Sequence, residues 1–81
     1  MRTNNRAVDL LGFVVRGLVS RPDRISIKQV VDERGRLLEL KVDPADLGKV
    51  IGREGTTATA IRAILTAATA QEVNARLDIV S

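Results

Sequence analysis

The spacing of apolar residues changes along this chain, and that change restricts the folds open to it. Between about Asn5 and Ser20 the apolar residues recur every three or four positions, whereas over Ile25–Val31 they recur every two. The first spacing is typical of an amphipathic helix, and the second is typical of a strand with one buried face. Both patterns fall within 81 residues, a length that suits one domain. We therefore predict a single α+β domain over residues 1–81.

The same patterns divide the whole chain into helices and strands. Asp43-Pro44 is typical of a helix start, because aspartate accepts hydrogen bonds from free amides and proline is tolerated in the first turn. Gly35, within "DERGR", provides the turn of a hairpin. The predicted order is α-β-β-α-α-β, with a three-stranded sheet and three helices packed on one face of it. The approximate ranges are 5–20, 25–31, 37–42, 44–50, 56–69 and 75–79, and residues 1–4 are expected to fray.

The apolar periods also predict which side chains face the core. They are Ala7, Leu10, Leu11, Val14, Val15 and Leu18 in the first helix, Ile25, Ile27, Val31, Leu38, Leu40 and Val42 in the hairpin, Leu47, Val50 and Ile51 in the second helix, and Thr57, Ile61, Ile64, Leu65 and Ala68 in the third. Asn4 or Asn5 is expected to cap the first helix.

The residue types that are missing argue against catalysis. The sequence has no His and no Cys, so it lacks the commonest general base and the usual ligands of zinc and iron. Its 10 Asp and Glu residues are scattered among turns and predicted exposed faces. We therefore predict a protein that is not an enzyme and has no metal, no cofactor and no small-molecule substrate.

Composition also bears on location and on partners. No apolar run approaches the ~20 residues needed to cross a bilayer, and "MRTNNRAVD" does not resemble a secretory signal. With no cysteine available for disulfides, we expect a cytoplasmic protein without membrane contact. Thirteen Lys and Arg residues against 10 acids give a net charge of +3, which permits a nucleic-acid partner but does not demonstrate one.

Two glycines three positions apart, Gly52 and Gly55 in "VIGREG", separate the two predicted helices of the second half. One glycine would suffice to end a helix. Two glycines leave one loop without two Cβ atoms, so that a sugar–phosphate chain can lie against the protein backbone. The helix that follows presents free amides and the positive end of its dipole, and Arg53 can pair with a phosphate.

The segment "DLGKVIGREGTTATAIRAI", Asp46 to Ile64, resembles the core signature of the KH domain, in which V-I-G-x-x-G precedes a helix with an A-I-R segment. The predicted α-β-β-α-α-β order is similar to the bacterial, type II arrangement of that fold. More narrowly, the chain resembles the small single-KH-domain proteins of the KhpA type. The resemblance covers nearly the whole chain.

The resemblance implies binding of a single-stranded RNA segment of about four nucleotides in a groove. One wall would be the loop 52–55 with its flanking helices, and the other would be the strand 37–42 with the "DERGR" turn. The residues it implies for RNA contact are Gly52, Arg53, Glu54, Gly55, Lys49, Ile51, Thr56, Arg36 and Arg62. Arg34 is a further candidate for the rim. For the apolar floor the candidates are Leu47, Val50, Ile51 and Leu38 or Leu40, for which core packing is an equally good interpretation.

Proteins of this type are described as RNA chaperones or post-transcriptional regulators. They often act with a second KH-containing protein of the Jag/KhpB type, so the resemblance implies a homodimer, a heteromer or both. The chain departs from the family pattern at Glu54, Thr56 and Ala58, where basic, small or larger aliphatic residues are common. A carboxylate beside phosphates opposes binding. We therefore predict weak RNA affinity, micromolar or poorer, for the isolated domain.

Other nucleic-acid modules fit the sequence less well. RRM domains, OB-folds and cold-shock domains stack bases on aromatic side chains, and Phe13 is the only aromatic residue here. Three predicted strands leave too few helices for a helix-turn-helix protein.

A second hypothesis is a protein-interaction module in which RNA contact is secondary. In the third predicted helix, Ala60, Ala63, Ala67 and Ala70 form a small-residue face beside Ile64, which would allow another helix to approach closely. The alternative is a solvated face in which alanine serves as the best helix former.

Overall fold

The structure, a computed structural model, describes residues 6–68 and 75–80. These residues form three helices and three strands in the predicted order, so the predicted fold class is confirmed. The bounds are α1 Arg6–Arg16, β1 Ser26–Asp32, β2 Gly35–Lys41, α2 Leu47–Ile51, α3 Thr56–Ala68 and β3 Ala75–Val80. Short 3₁₀ turns at Pro22–Arg24, Pro44–Asp46 and Arg53–Gly55 lie between these elements.

The three strands form one sheet in the order β1-β2-β3. β1 and β2 pair antiparallel as the predicted hairpin, which closes where Asp32 lies opposite Gly35. β2 and β3 pair parallel, with Leu38 opposite Leu77. Parallel neighbours need a crossover connection, and α2, the loop and α3 supply it.

The core lies between one face of this sheet and the helices. Leu38 and Leu40 on β2 are fully buried, and alternate residues along β2 are less buried, as expected for a central strand with one covered face. The buried apolar side chains are Ala7, Leu11, Val15, Leu38, Leu40, Val42, Val50, Ala58, Ile61, Leu65 and Leu77.

Four core predictions are wrong: Leu18 and Val31 near the ends of elements, and Ile51 and Ile64, which are 37% and 43% exposed. α1 ends at Arg16 rather than near Ser20: the Gly17 amide bonds the Val14 carbonyl at 3.1 Å and the Leu18 amide bonds Val15 at 2.9 Å. These are turns of the tighter, 3₁₀ type, which the low helix propensity of glycine favours. Leu18 is consequently exposed.

Val31 is the second error, because 68% of its surface is exposed. Its partner across the hairpin is Arg36, near the turn, beyond the buried pair Leu38 and Leu40. Val31 thus lies on the same face of the sheet as Leu38 and Leu40 but is exposed, whereas Val30 is half-buried, so burial in the second half of β1 does not follow the predicted alternation. The expected cap at Asn4 or Asn5, the frayed residues 1–4, the end of the third helix at Thr69, and Ala70 lie outside the described residues.

Candidate nucleic-acid interface

The loop between α2 and α3 interrupts the helical chain at Gly52. Its amide closes the last turn of α2 by bonding the Gly48 carbonyl at 2.8 Å, and its φ of 78° then turns the chain away from the helix. The Gly55 amide bonds the Gly52 carbonyl at 3.2 Å, and α3 begins at Thr56. The two helices are thus separated by a tight turn of four residues, 52–55.

The two glycines serve different purposes in this turn. A Cβ on Gly52 would overlap the hydroxyl of Thr57 and would lie 2.7 Å from its backbone nitrogen. A Cβ on Gly55, by contrast, would meet no heavy atom within 4 Å. The missing Cβ of Gly52 therefore makes room for the first turn of α3, and the surface that the sequence argument expected at both glycines is open at Gly55.

Both residues between the glycines carry exposed side chains. Glu54 has φ 54° and ψ 27°, and it is the one non-glycine residue in the described ranges with a positive φ. The left-handed region costs an ordinary residue roughly 1–2 kcal/mol. Thr56 supports the turn, because its hydroxyl donates to the Arg53 carbonyl at 2.8 Å. Arg53, Glu54 and Thr56 are all exposed at this turn, and Ile51 beside it is 37% exposed.

A buried carboxylate fixes the start of α2. Asp46 is fully buried and accepts three hydrogen bonds from the segment after α1: from the Ser20 amide at 3.1 Å, the Ser20 hydroxyl at 2.7 Å and the Arg21 amide at 3.0 Å. These hydrogen bonds, with a smaller contribution from Lys49, hold the pKa of the Asp46 carboxyl far below its ordinary value of 3.8. The network ties the first half of the chain to the helix that carries the loop.

Lys49 belongs to this network as well as to the surface. Its Nζ lies 3.2 Å from Asp46 Oδ1 and donates to the Ser20 hydroxyl at 2.9 Å, while about half of the side chain remains exposed. The Asp46 carboxylate therefore partly compensates the charge of Lys49. The sequence did not predict this pairing.

Arg62 projects from α3 toward the sheet. Its Nε donates to the Leu77 carbonyl at 3.4 Å, which places the exposed guanidinium over the edge strand β3. The strand that Arg62 contacts is thus β3, whereas the resemblance implied the strand 37–42 as the second wall of the groove. β2 is the central strand and has neighbours on both sides.

The structure does not bring Arg36 to the loop. Arg36 is only 7% exposed, and its Nη1 donates to Gln29 Oε1 at 3.4 Å across the hairpin. It lies near the start of β2, within "DERGR", whereas α2 and the loop come after the end of that strand. Arg34 lies in the same hairpin turn, where its amide donates to Asp32 Oδ1 at 2.8 Å.

The hairpin turn is instead tied to β3. Arg76 Nη2 lies 2.9 Å and 3.1 Å from the two carboxylate oxygens of Asp32. The Arg34 amide and the Arg76 guanidinium together lower the pKa of the Asp32 carboxyl below its ordinary 3.8. The Asp32–Arg76 contact therefore links the two edge strands, and the role of this turn as the second wall of the groove stays a prediction.

The alanine face of α3 is exposed. Ala60, Ala63 and Ala67 are all accessible, and Ile64 among them is 43% exposed. The opposite face, with Ala58, Ile61 and Leu65, is buried against the rest of the fold. Ala70, the fourth alanine of the predicted face, lies outside the described residues.

Sequence reasoning missed Thr57 and the group of Ser20, Asp46 and Lys49. Nothing in the sequence around Thr57 indicates that it packs against Gly52, because that contact follows from a backbone angle.

Over residues 6–68 and 75–80 we find no cluster of three or more Asp and Glu side chains suited to a metal ion. In the same part of the chain, no helix combines the length and the apolar character needed to span a bilayer.

Comparison with known proteins identifies the family. The sequence model of the KhpA/KhpB KH domain matches residues 8–80, nearly the whole chain. The chain belongs to the KhpA/KhpB KH-domain family. Among its relatives is the RNA-binding protein KhpA of Mycobacterium leprae, 52% identical over 58 residues that make up 72% of each chain.

Two further relatives show how widely the KhpA/KhpB family match extends. The RNA-binding protein KhpA of Clostridium acetobutylicum is 44% identical over 63 residues, 78% of this chain and 84% of the relative. The RNA-binding protein KhpA of Borreliella burgdorferi is 37% identical over 71 residues, 88% of this chain and 87% of the relative. The comparison with solved structures gave no significant match.

Proposed function

We propose that this protein binds single-stranded RNA, with the backbone of about four nucleotides held at the loop 52–55. The observation that carries the proposal is the open surface at Gly55, beside an exposed Arg53 and at the start of the 13-residue helix α3. The positive end of the α3 dipole favours an anion there, and the arginine adds a charged, forked donor. The names of the relatives, RNA-binding proteins, support the same function.

The bases then lie between the helices and β3. Ile51, exposed beside the loop, offers an apolar surface, and Arg62 reaches from α3 to the edge strand. This arrangement needs no aromatic platform, which agrees with a sequence whose one aromatic residue lies on α1. The function is binding rather than catalysis, and we place it in the cytoplasm.

The test changes Arg53 and Glu54 together to Asp. The double variant should lose RNA crosslinking in cells and RNA affinity in fluorescence anisotropy, because it replaces the phosphate partner with a second acid. A matched control changes Glu33 and Arg34 to Asp, which alters the same residue types, and the net charge equally, in the hairpin turn at the opposite end of β2. If both variants lose RNA equally, or if the folded loop variant still crosslinks, the loop is not the site.

The exposed alanine face supports a second, compatible function: association with a second copy of this chain or with a KH-containing partner of the KhpB type. Its support is the placement of an exposed Ile64 among Ala60, Ala63 and Ala67. A large apolar side chain at the solvent surface gains free energy when a partner covers it.

This second function is tested at Ala67. Ala67→Arg should shift the mass in solution toward monomer and reduce capture of a KhpB-type partner, while RNA affinity per chain stays the same. Thr66→Arg is the control, because Thr66 is exposed on the same helix but lies about 100° further round it. An unchanged mass distribution in the Ala67 variant would remove this face from the interface.

A further inference from the structure

A cleft lies at the carboxyl ends of β2 and β3, apart from the loop. It consists of two adjoining cavities of about 70 and about 190 Å³, which share Lys41, Val42 and Pro44. Leu47 and Val80 complete the smaller cavity, and Arg24 and Asp43 complete the larger one. None of the loop residues 52–55 lines either cavity, so the cleft is a separate feature of the surface.

The smaller cavity is apolar and has an accessible wall. Val42 is buried at its base, Leu47 is half-buried, and Val80 is 38% exposed. Aliphatic side chains around a narrow cavity suit the flat, weakly polar face of a ring. Lys41 is the charged residue of this cavity, and as an exposed, flexible side chain it can follow a ligand.

The larger cavity carries the charge. Arg24 Nε lies 3.8 Å from Asp43 Oδ2, and Arg21 Nε lies 3.9 Å from the same oxygen. Asp43 Oδ1 accepts the Ala45 amide at 2.9 Å, so this carboxylate is already used to begin the Pro44–Asp46 turn. Among the lining residues, Arg24 and Lys41 thus outnumber the one acid, Asp43, and both are exposed. The charge balance of the rim favours an anion.

The short helix α2 runs from the apolar cavity, which Leu47 lines, to the loop. Leu47 and Ile51 are four residues apart, so they lie on the same side of the helix, one turn from each other. A Cβ on Gly48, the residue after Leu47, would meet no heavy atom within 4 Å, so the surface of α2 is open at this position. At 1.5 Å per residue, Leu47 and Gly52 are about 7.5 Å apart along the helix.

From this geometry we infer that the cleft is a further nucleotide subsite, which takes one base of the same RNA strand against Val42, Leu47 and Val80. The phosphate next to that base lies at Lys41 and Arg24. The inference rests on the proposed function, and it extends the strand beyond the four nucleotides at the loop. An acidic peptide offers the same charge to the rim, but it has no reason to continue along α2 to the phosphate-binding surface at Gly55.

The test compares RNA strands of four and six nucleotides of one sequence, titrated into the whole chain and followed by amide shifts in NMR spectra. The longer strand should bind at least about fivefold more tightly, because a further base buries apolar surface against the cavity. It should also shift the amide signals of Lys41, Val42, Leu47 and Val80, whereas the shorter strand should leave those signals unchanged. Lys41→Ala should remove this gain and leave the affinity for the shorter strand unchanged.

Two further variants make the test specific. Val80→Asp introduces a carboxylate into the apolar cavity and should also remove the gain, whereas Lys28→Ala, which removes an exposed lysine from β1, should keep it. The slope of log K against log salt for the longer strand should fall by about 0.7 in the Lys41 variant, the value for one phosphate contact on a single strand. Thermal melting of each variant establishes that it is folded.

The outcomes separate the two proposals. If the wild-type chain binds both lengths equally, the subsite is wrong and the proposed function stands. If it binds neither length, the proposed function is wrong. If Lys41→Ala weakens both lengths to the same extent, or weakens capture of a protein partner and not of RNA, the cleft does not take the additional nucleotide.

Discussion

Gly52 and Gly55 have the same residue type and almost the same φ, 78° and 79°, but their surroundings differ. At Gly52, Thr57 of the following helix fills the space that a Cβ would occupy. At Gly55 that space is open. The first glycine is therefore a requirement of the fold, and the second leaves an open surface.

The two glycines predict unequal losses of stability. Gly52→Ala adds both an unfavourable φ and an overlap with Thr57, and should lower the free energy of unfolding by roughly 2–4 kcal/mol. Gly55→Ala adds only the unfavourable φ and should lower it by roughly 1–2 kcal/mol. Urea titration of both variants measures the difference. Equal losses would mean that Thr57 moves aside without penalty.

Glu54 gives a second prediction at the scale of single residues. Glu54→Gln keeps the size of the side chain and removes its charge, so RNA should bind about two- to fivefold more tightly at low salt, and the difference should shrink as salt rises. Fluorescence anisotropy with a labelled single strand measures both effects. A gain that is independent of salt would mean that the carboxylate acts through the shape of the loop and not through its charge.

At the scale of elements, the sequence predicted the order of helices and strands because each apolar period is local and extends over several residues. The sequence-based prediction failed for residues whose burial depends on neighbouring elements. Whether Val31 is covered depends on how far the helices extend over the sheet, and the alternation of apolar residues carries no information about that. The burial of Arg36 and the position of β3 beside α3 depend on pairing between distant segments, which no local pattern specifies.

The prediction at this scale concerns the join between α2 and the segment after α1. The folded pKa of Asp46 is lowered, so its carboxylate stabilises the fold at any pH above the unfolded value near 3.8, and this contribution is lost as the pH falls further. Asp46→Asn should lower the Tm at neutral pH by more than about 5 °C, because a buried acceptor of several hydrogen bonds is replaced. Below the ordinary carboxyl pKa, the Tm difference from wild type should shrink.

Asp32 provides the control for that experiment. Its pKa is also lowered, but it lies exposed at the hairpin turn and its bonds to Arg76 are accessible to water. Asp32→Asn should therefore change the Tm by a smaller amount, with the same sign of pH dependence. If the two variants behave alike, the burial of Asp46 does not matter to the stability of the fold.

At the scale of the whole molecule, the chain lacks the side chains that respond to physiological pH. Histidine and cysteine have ordinary pKa values near neutrality, and the sequence contains neither. RNA affinity at constant ionic strength should therefore vary by less than about twofold between roughly pH 6 and pH 9. Anisotropy titrations across that range test it. A marked inflection would show that a group in or near the site titrates far from its ordinary pKa.

The parallel pairing of β2 with β3 also sets the order in which this protein can acquire its binding surface during synthesis. The central strand leaves the ribosome with its hairpin partner, but its second neighbour is the last described element of the chain. Until β3 emerges, one edge of β2 is open, and Leu77 cannot pack against Leu38. A nascent chain that carries "VIGREG" in full but lacks β3 is thus still without the strand toward which α3 projects Arg62, and under the proposed function its binding surface is complete only after β3 has been synthesised.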